Sequence, residues 1–265
     1  MLPLPDWYRH KPLVFAHRGA SFDAPENTMA AFRLAHEMGA DGVELDTLLT
    51  LDDIPVVIHD FTLEKTTDGT GKVRDKLLRD LKRLDAGSHY DFSFRTERIP
   101  TLDETLEFFA KTGMLVNIEL KSVGWRHSLL ESLTLGAIRK HNMQSRVIIS
   151  SFNPFALRRF HHLAPNIPLG YLYAPEVPTW LRFFMLGVPH QARHPEQRMI
   201  DAAYMTWAQK QGYRVNTWTV DDPERALALR DLGVDAIITN RPDLLIKTLD
   251  RNKTRTEGGA IKGLS

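Results

Sequence analysis

Residues 17–60 read HRGASFDAPENTMAAFRLAHEMGADGVELDTLLTLDDIPVVIHD, and the way this stretch must fold decides the rest of the chain. Its reactive residues ride on three apolar runs. LVFAHR (13–18) ends in His17 and Arg18, GVELDTLLT (42–50) carries Glu44 and Asp46, and PVVIHD (55–60) ends in His59 and Asp60. Side chains alternate along a strand, so Glu44 and Asp46 share a face. Adjacent carboxylates repel unless a cation lies between them or one is protonated, so the pair asks for a metal. Only residues 51–54 separate the second run from the third. A parallel connection needs a dozen or more residues, so these two runs must form an antiparallel hairpin. With the turn centred on Asp52-Asp53, Asp46 lies opposite His59 or nearly so, within reach across the ladder. His17 arrives at the same place if the first strand lies parallel beside the second. The helical segment 26–38 has the length that crossover requires.

Composition narrows the function classes. A chain of 265 residues can bury the core of one α/β barrel. Net charge of +1 gives no electrostatic case for nucleic acid or an acidic membrane surface. Cysteine is absent, which excludes disulfides, zinc-thiolate sites and a thiol nucleophile, and fits a cytoplasmic protein. No run reaches the ~18 apolar residues of a membrane span. The first twelve residues lack the apolar core of a signal peptide and read as a Pro-rich, extended lead-in.

Beyond the hairpin, residues 61–100 show no clear strand or long helix and read as an excursion from the fold beside the site. Alternation then resumes. Helices are expected at 101–113 with Thr101 as N-cap, 125–142, 154–163 after Asn153, 196–212, 223–233 and 242–250. Strands are expected in MLVNIELK (114–121), RVIISSF (146–152), PLGYLY (168–173), RVNTWTV (214–220) and DAIITN (235–240). Strands alternating with helices and closed by a last pair predict a (β/α)8 TIM barrel spanning 1–250 as a single catalytic domain, with a disordered tail over 251–265.

The ordered motifs AHRGAS (16–21), APENT (24–28), GADGVELD (39–46), PVVIHD (55–60) and TTDGTG (66–71) resemble the signature of the glycerophosphodiester phosphodiesterase family, within the phosphatidylinositol-specific phospholipase C-like barrels. NIELK (117–121), ISSF (149–152), TWTV (217–220) and GVDAIITNRPD (233–243) fit the same family in the same order. The resemblance implies a TIM barrel whose small insertion helps bind the glycerol side of the substrate. It further implies hydrolysis of glycerophosphodiesters to sn-glycerol 3-phosphate and an alcohol. His17 would act as base toward a neighbouring glycerol hydroxyl and His59 as acid toward the leaving alcohol, with the reverse assignment open. Three departures bear on the pocket rim: Phe22-Asp23 after HRGAS, Asp53-Ile54 in place of an Asp-Gly turn, and Phe61 where Pro is common.

In a barrel, reactive residues belong at the carboxyl ends of the strands. His17 and Arg18 end the first strand, Glu119 and Lys121 end the IEL strand, and Trp218 lies late in TWTV. Glu44, Asp46 and Glu119 form an all-oxygen set suited to Mg²⁺ or Ca²⁺. Both His17 and His59 can titrate near neutrality, and Arg18 and Lys121 can donate to a phosphate. Taken singly, a strand-end His is more often structural, Lys121 solvated and Trp218 core; the combination carries the reading. His190 and His194 receive no role. Residues 174–195 hold Trp180, Leu181, Phe183, Phe184, Met185 and Leu186, read first as core packing. The second reading is an apolar loop that receives an acyl chain or meets a bilayer, which would turn the substrate toward lysophospholipids. Two other classes compete. A non-catalytic phosphodiester-binding barrel would lack part of this set, and a metal-dependent lyase gives no reason for two His beside Arg18.

Overall fold

The computed structural model describes residues 6–9, 12–122, 124, 128–177 and 179–249. Nine strands among them form one sheet: β1 Leu13–His17, β2 Gly42–Leu49, β3 Pro55–Val57, β4 Leu115–Leu120, β5 Val147–Ser151, β6 Leu169–Tyr173, β7 Ala192–Pro195, β8 Arg214–Thr217 and β9 Ala236–Thr239. All are parallel to their neighbours except β3, which runs antiparallel to β2. Because β1 pairs with both β9 and β2, the eight parallel strands close into a barrel with helices between them. This is the expected TIM barrel.

Local chemistry sets the helix boundaries. Helix α1 (Met29–Glu37) begins where the Thr28 hydroxyl accepts from the Ala31 N–H, so Glu26 and Asn27 stay outside it and face the site. The four-residue helix α2 (Leu78–Leu81) belongs to the excursion. At α3 (Leu102–Ala110) a reciprocal capping box joins Thr101 and Glu104, worth about 1 kcal/mol. Helix α4 is Leu130–Lys140; residues 125–127 of the expected longer helix lie outside the described residues. Asn153 caps α5 (Pro154–Leu163) and Asp222 caps α7 (Pro223–Leu232), each with Pro in the first turn. The expected helix over 196–212 divides into a 3₁₀ turn, Gln197–Met199, and α6 (Ala202–Lys210). Helix α8 (Pro242–Thr248) closes the described chain, and the tail at 251–265 lies outside it.

Two features differ from the sequence reading. The sequence shows seven parallel strands; the eighth is β7, at the end of the segment 174–195 that reads first as core packing. Its outward Arg193 lies 4.7 Å from the centre of the Tyr213 ring, and its inward His194 packs against Gly170. Secondly, residues 6–9 of the lead-in form a 3₁₀ turn, and the Tyr8 hydroxyl reaches the barrel interior to meet Asn216.

The excursion after β3 holds no strand. It carries its own small core, in which Leu63, Val73, Leu81 and Ile99 pack on Leu48, Val56 and Ile58. The hairpin pairs regularly, Thr47 opposite Val57, and its left-handed residue is Asp53 (φ +59°). The departure read at Asp53-Ile54 therefore leaves the hairpin undistorted. No helix among the described residues is long and apolar enough to cross a membrane.

Candidate active site

Register builds the site. His17 on β1 pairs with Glu44 on β2, and Asp46 pairs with Glu119 on β4. Ile58 donates its N–H to the Asp46 carbonyl, so His59 comes one residue beyond the position opposite Asp46. The four-residue spacer alone puts it opposite Asp46 or nearly so.

The chain leaves β1 through an abrupt turn. Arg18 (φ +56°) and Gly19 (φ +84°) are both left-handed. A Cβ on Gly19 would come 2.6 Å from that of Ala31, so only glycine fits. The turn aims Arg18 back over the barrel mouth. Its Nη1 donates to Glu26 at 2.9 Å, and its Nε lies 3.3 Å from Asp46. Lys121 Nζ approaches Glu119 at 3.2 Å and Asp46 at 3.6 Å. Asn27, also left-handed at φ +58°, donates from Nδ2 to Asp46 at 3.0 Å.

Glu44, Asp46 and Glu119 are all buried, with one oxygen of each within 4.8 Å of the others. Burial, then repulsion from Asp46 and Glu119, holds Glu44 well above the usual carboxylate range. Burial and Asp46 push Glu119 up to about 7. Burial works on Asp46 too, but Lys121 and Arg18 outweigh it and keep that carboxyl low. Three oxygens so close that two resist ionising are the donor set of a hard divalent cation. The residues therefore fit the Mg²⁺ or Ca²⁺ read from the sequence.

The two imidazoles are backed differently. His17 Nδ1 lies 2.7 Å from Asn240 Oδ1, and its Nε2 faces Glu44 at 3.9 Å. Burial, then Arg18, lowers it to about 4. His59 Nδ1 lies 2.6 Å from the Asp60 carboxylate. Burial is the main influence lowering His59, Arg18 and Lys121 add to it, and Asp46 and Asp60 oppose it.

A cavity of about 240 Å³ opens between His17, Arg18, Glu44, His59 and Glu119 on one side and Phe152, Leu172, Trp218 and Ile238 on the other. All eight residues singled out in the sequence thus meet at one mouth. Trp218 lies just past β8 rather than within it; its Nε1 donates to the His194 carbonyl and its ring meets Phe152 edge-on. His190 and His194 stand apart. His190 stacks on Tyr213, and His194 is buried in the barrel interior beside Asn216, where burial pushes it down to about 3. Sequence reasoning assigned no site role to Glu26, Asn27, Asp60, Asp221 or Asn240. The motifs APENT, PVVIHD and TNRPD contain all of these except Asp221.

Architecture defines the class first: a (β/α)8 protein with its polar site at the carboxyl ends of the strands, where enzymes of this fold carry theirs. Comparison with known proteins then gives the family. The model of the glycerophosphoryl diester phosphodiesterase family matches residues 17–244, and the chain belongs to that family. A glycerophosphodiester phosphodiesterase of Caldanaerobacter subterraneus subsp. tengcongensis is 43% identical over 237 residues, covering 89% of this chain and 97% of the relative. Among solved structures, an Oleispira antarctica phosphodiesterase in complex with the product sn-glycerol-3-phosphate superimposes with a TM-score of 0.81. It is 36% identical, over 90% of this chain and 97% of that one. A glycerophosphodiester phosphodiesterase from Agrobacterium tumefaciens gives a TM-score of 0.76 at 28% identity, over 89% and 99% of the two chains.

Proposed function

We propose that this chain is a metal-dependent phosphodiesterase that hydrolyses glycerophosphodiesters to sn-glycerol 3-phosphate and an alcohol, with His17 as base and His59 as acid. The observation that carries the reading is the unequal backing of the two imidazoles across one acidic cluster. Glu44, Asp46 and Glu119 would hold the ion, Mg²⁺ or Ca²⁺, which when bound supplies a Lewis acid for a phosphoryl oxygen.

The chain's own residues account for the proton movements. Arg18 and Lys121 lie where they can donate to the phosphate. His17 is partly buried, is backed by a neutral amide and favours the uncharged form, so its Nε2 can take a proton. The glycerol hydroxyl next to the phosphoester loses that proton as it attacks phosphorus. His59, whose Asp60 partner favours the imidazolium, gives a proton to the departing alcohol as its P–O bond breaks. A cyclic glycerol phosphate results. Water opens it with the two imidazoles in exchanged roles, yielding sn-glycerol 3-phosphate. Trp218 and Phe152 wall the substrate opposite the charged side.

A second reading, toward lysophospholipids in the same site, has its own observation. An apolar cleft of about 390 Å³ begins at Glu119 and Lys121 and runs between Phe61, Phe152 and Phe155. The Phe155 ring meets that of Phe184 at a tilt, centroids 5.0 Å apart, and Phe184 meets Trp180 edge-on. Trp180 and Phe183 are 57% and 71% exposed, so these rings extend the cleft outward, while Met185 and Val188 of the same segment pack in the core.

The deciding experiment is an assay for glycerol 3-phosphate release from glycerophosphocholine, with lysophosphatidylcholine as a parallel substrate. Release that EDTA abolishes and Mg²⁺ or Ca²⁺ restores is expected. Silence on both substrates with every metal would leave a phosphodiester-binding barrel as the better account.

A further inference from the structure

The last barrel strand ends in a polar chain that the acid-base scheme leaves unused. Asn240, just beyond β9, places its Oδ1 2.7 Å from His17 Nδ1 and 2.9 Å from the Ser21 hydroxyl. Its Nδ2 lies 2.6 Å from Asp221 Oδ2. The other Asp221 oxygen takes the Asn240 backbone N–H at 2.8 Å and the Thr239 hydroxyl at 3.0 Å. Asp221 itself sits in the loop between β8 and α7, outside the cavity lining.

These contacts settle two ambiguities in sequence. An amide can be turned either way, but an ionised carboxylate only accepts, so the atom facing Asp221 must be the NH₂ group. The oxygen then faces His17. A carbonyl oxygen also only accepts, so the imidazole nitrogen opposite it must carry the hydrogen. In neutral His17 the proton is on Nδ1 and the lone pair on Nε2, which is the nitrogen that faces Glu44 and the cavity.

We infer that Asn240, with its amide locked by Asp221, is the positioning residue that fixes the tautomer and ring orientation of His17. The inference rests on the reading of His17 as base. A base with the wrong tautomer presents N–H where a lone pair is needed, and ring rotation about Cβ–Cγ would produce the same failure. A backing carboxylate would also set the tautomer, but it would favour the charged ring and so a poorer acceptor at neutral pH. The neutral amide gives orientation without that charge, while His59, asked to hold a proton, has the carboxylate of Asp60.

Imidazole ¹⁵N NMR of the Mg²⁺-loaded enzyme tests this without altering the fold. His17 signals are assigned by their loss in H17A. The expected pattern is a protonated-type Nδ1 and a bare-type Nε2; the opposite pattern would overturn the inference. Two variants supply kinetics. N240L should lower kcat by about 10²-fold, the scale of a general base, with KM for glycerophosphocholine within about threefold. The exchange variant N240D/D221N restores an acceptor toward His17 and a donor at position 221, and should recover kcat to within about tenfold of the native value. Full activity in N240L beside an inactive H17A would overturn the positioning role alone, as would an exchange variant no better than N240L. Full activity in H17A would instead remove the base assignment itself.

Discussion

The two walls of the barrel mouth are opposites. Strands β1, β2 and β4 and the turn after β3 bring every charge: His17, Arg18, Glu44, Asp46, His59, Glu119 and Lys121. The facing wall offers Phe152, Leu172, Trp218 and Ile238. The apolar side is what makes the polar side reactive. Water excluded by these rings cannot screen the carboxylates from one another, so Glu119 is driven up to about 7 while His17 is driven down to about 4. The same lesson holds within the polar wall, where two histidines differ in what stands behind them.

The largest expected effect breaks the polar wall. H17A and H59A should each lower kcat by about 10²–10⁴-fold, the contribution of a positioned acid or base, with the far-UV circular dichroism of the native protein. Substantial turnover in either variant would mean that the charged wall does not act as described. The apolar wall and its cleft give a smaller, selective effect. F155D should raise KM for lysophosphatidylcholine about tenfold while leaving glycerophosphocholine within about twofold, because a charge replaces apolar surface beyond the phosphate region. Equal effects on both substrates would take the cleft out of chain binding. The smallest change sharpens the contrast between the histidines. Asp60 pushes His59 up, so D60N lowers it further. An acid works only below its pKa, hence the alkaline limb of the kcat profile should move to lower pH; an unmoved or upward-moving limb would separate Asp60 from the acid.

Much of this wall was legible in the sequence because the signals were local. The four-residue spacer 51–54 forced a hairpin, and alternation put Glu44 and Asp46 on one face. Strand β7 was illegible for a physical reason. ARHP shows neither an apolar run nor alternation, since Arg193 turns outward among aromatic rings and His194 turns into a hollow left by Gly170. What makes it a strand is its neighbours, β6 and β8, which no window of sequence contains. Glu26 reads as a first-turn helix residue until Thr28 takes the cap and frees it for Arg18. Asn240 reads as a turn residue because its partner His17 lies 223 positions away, and Asp221 matters only through Asn240.

That separation has a consequence during synthesis. The acidic cluster is complete once β4 has joined β1 and β2, within the first half of the chain. The orientation of His17 waits for β9, the strand that seals the barrel against β1 and delivers Asn240. A ribosome-bound chain that has not yet released β9 would own the ligands for an ion but no aimed base. With His17 as the proposed base, barrel closure and the onset of catalysis would be the same event.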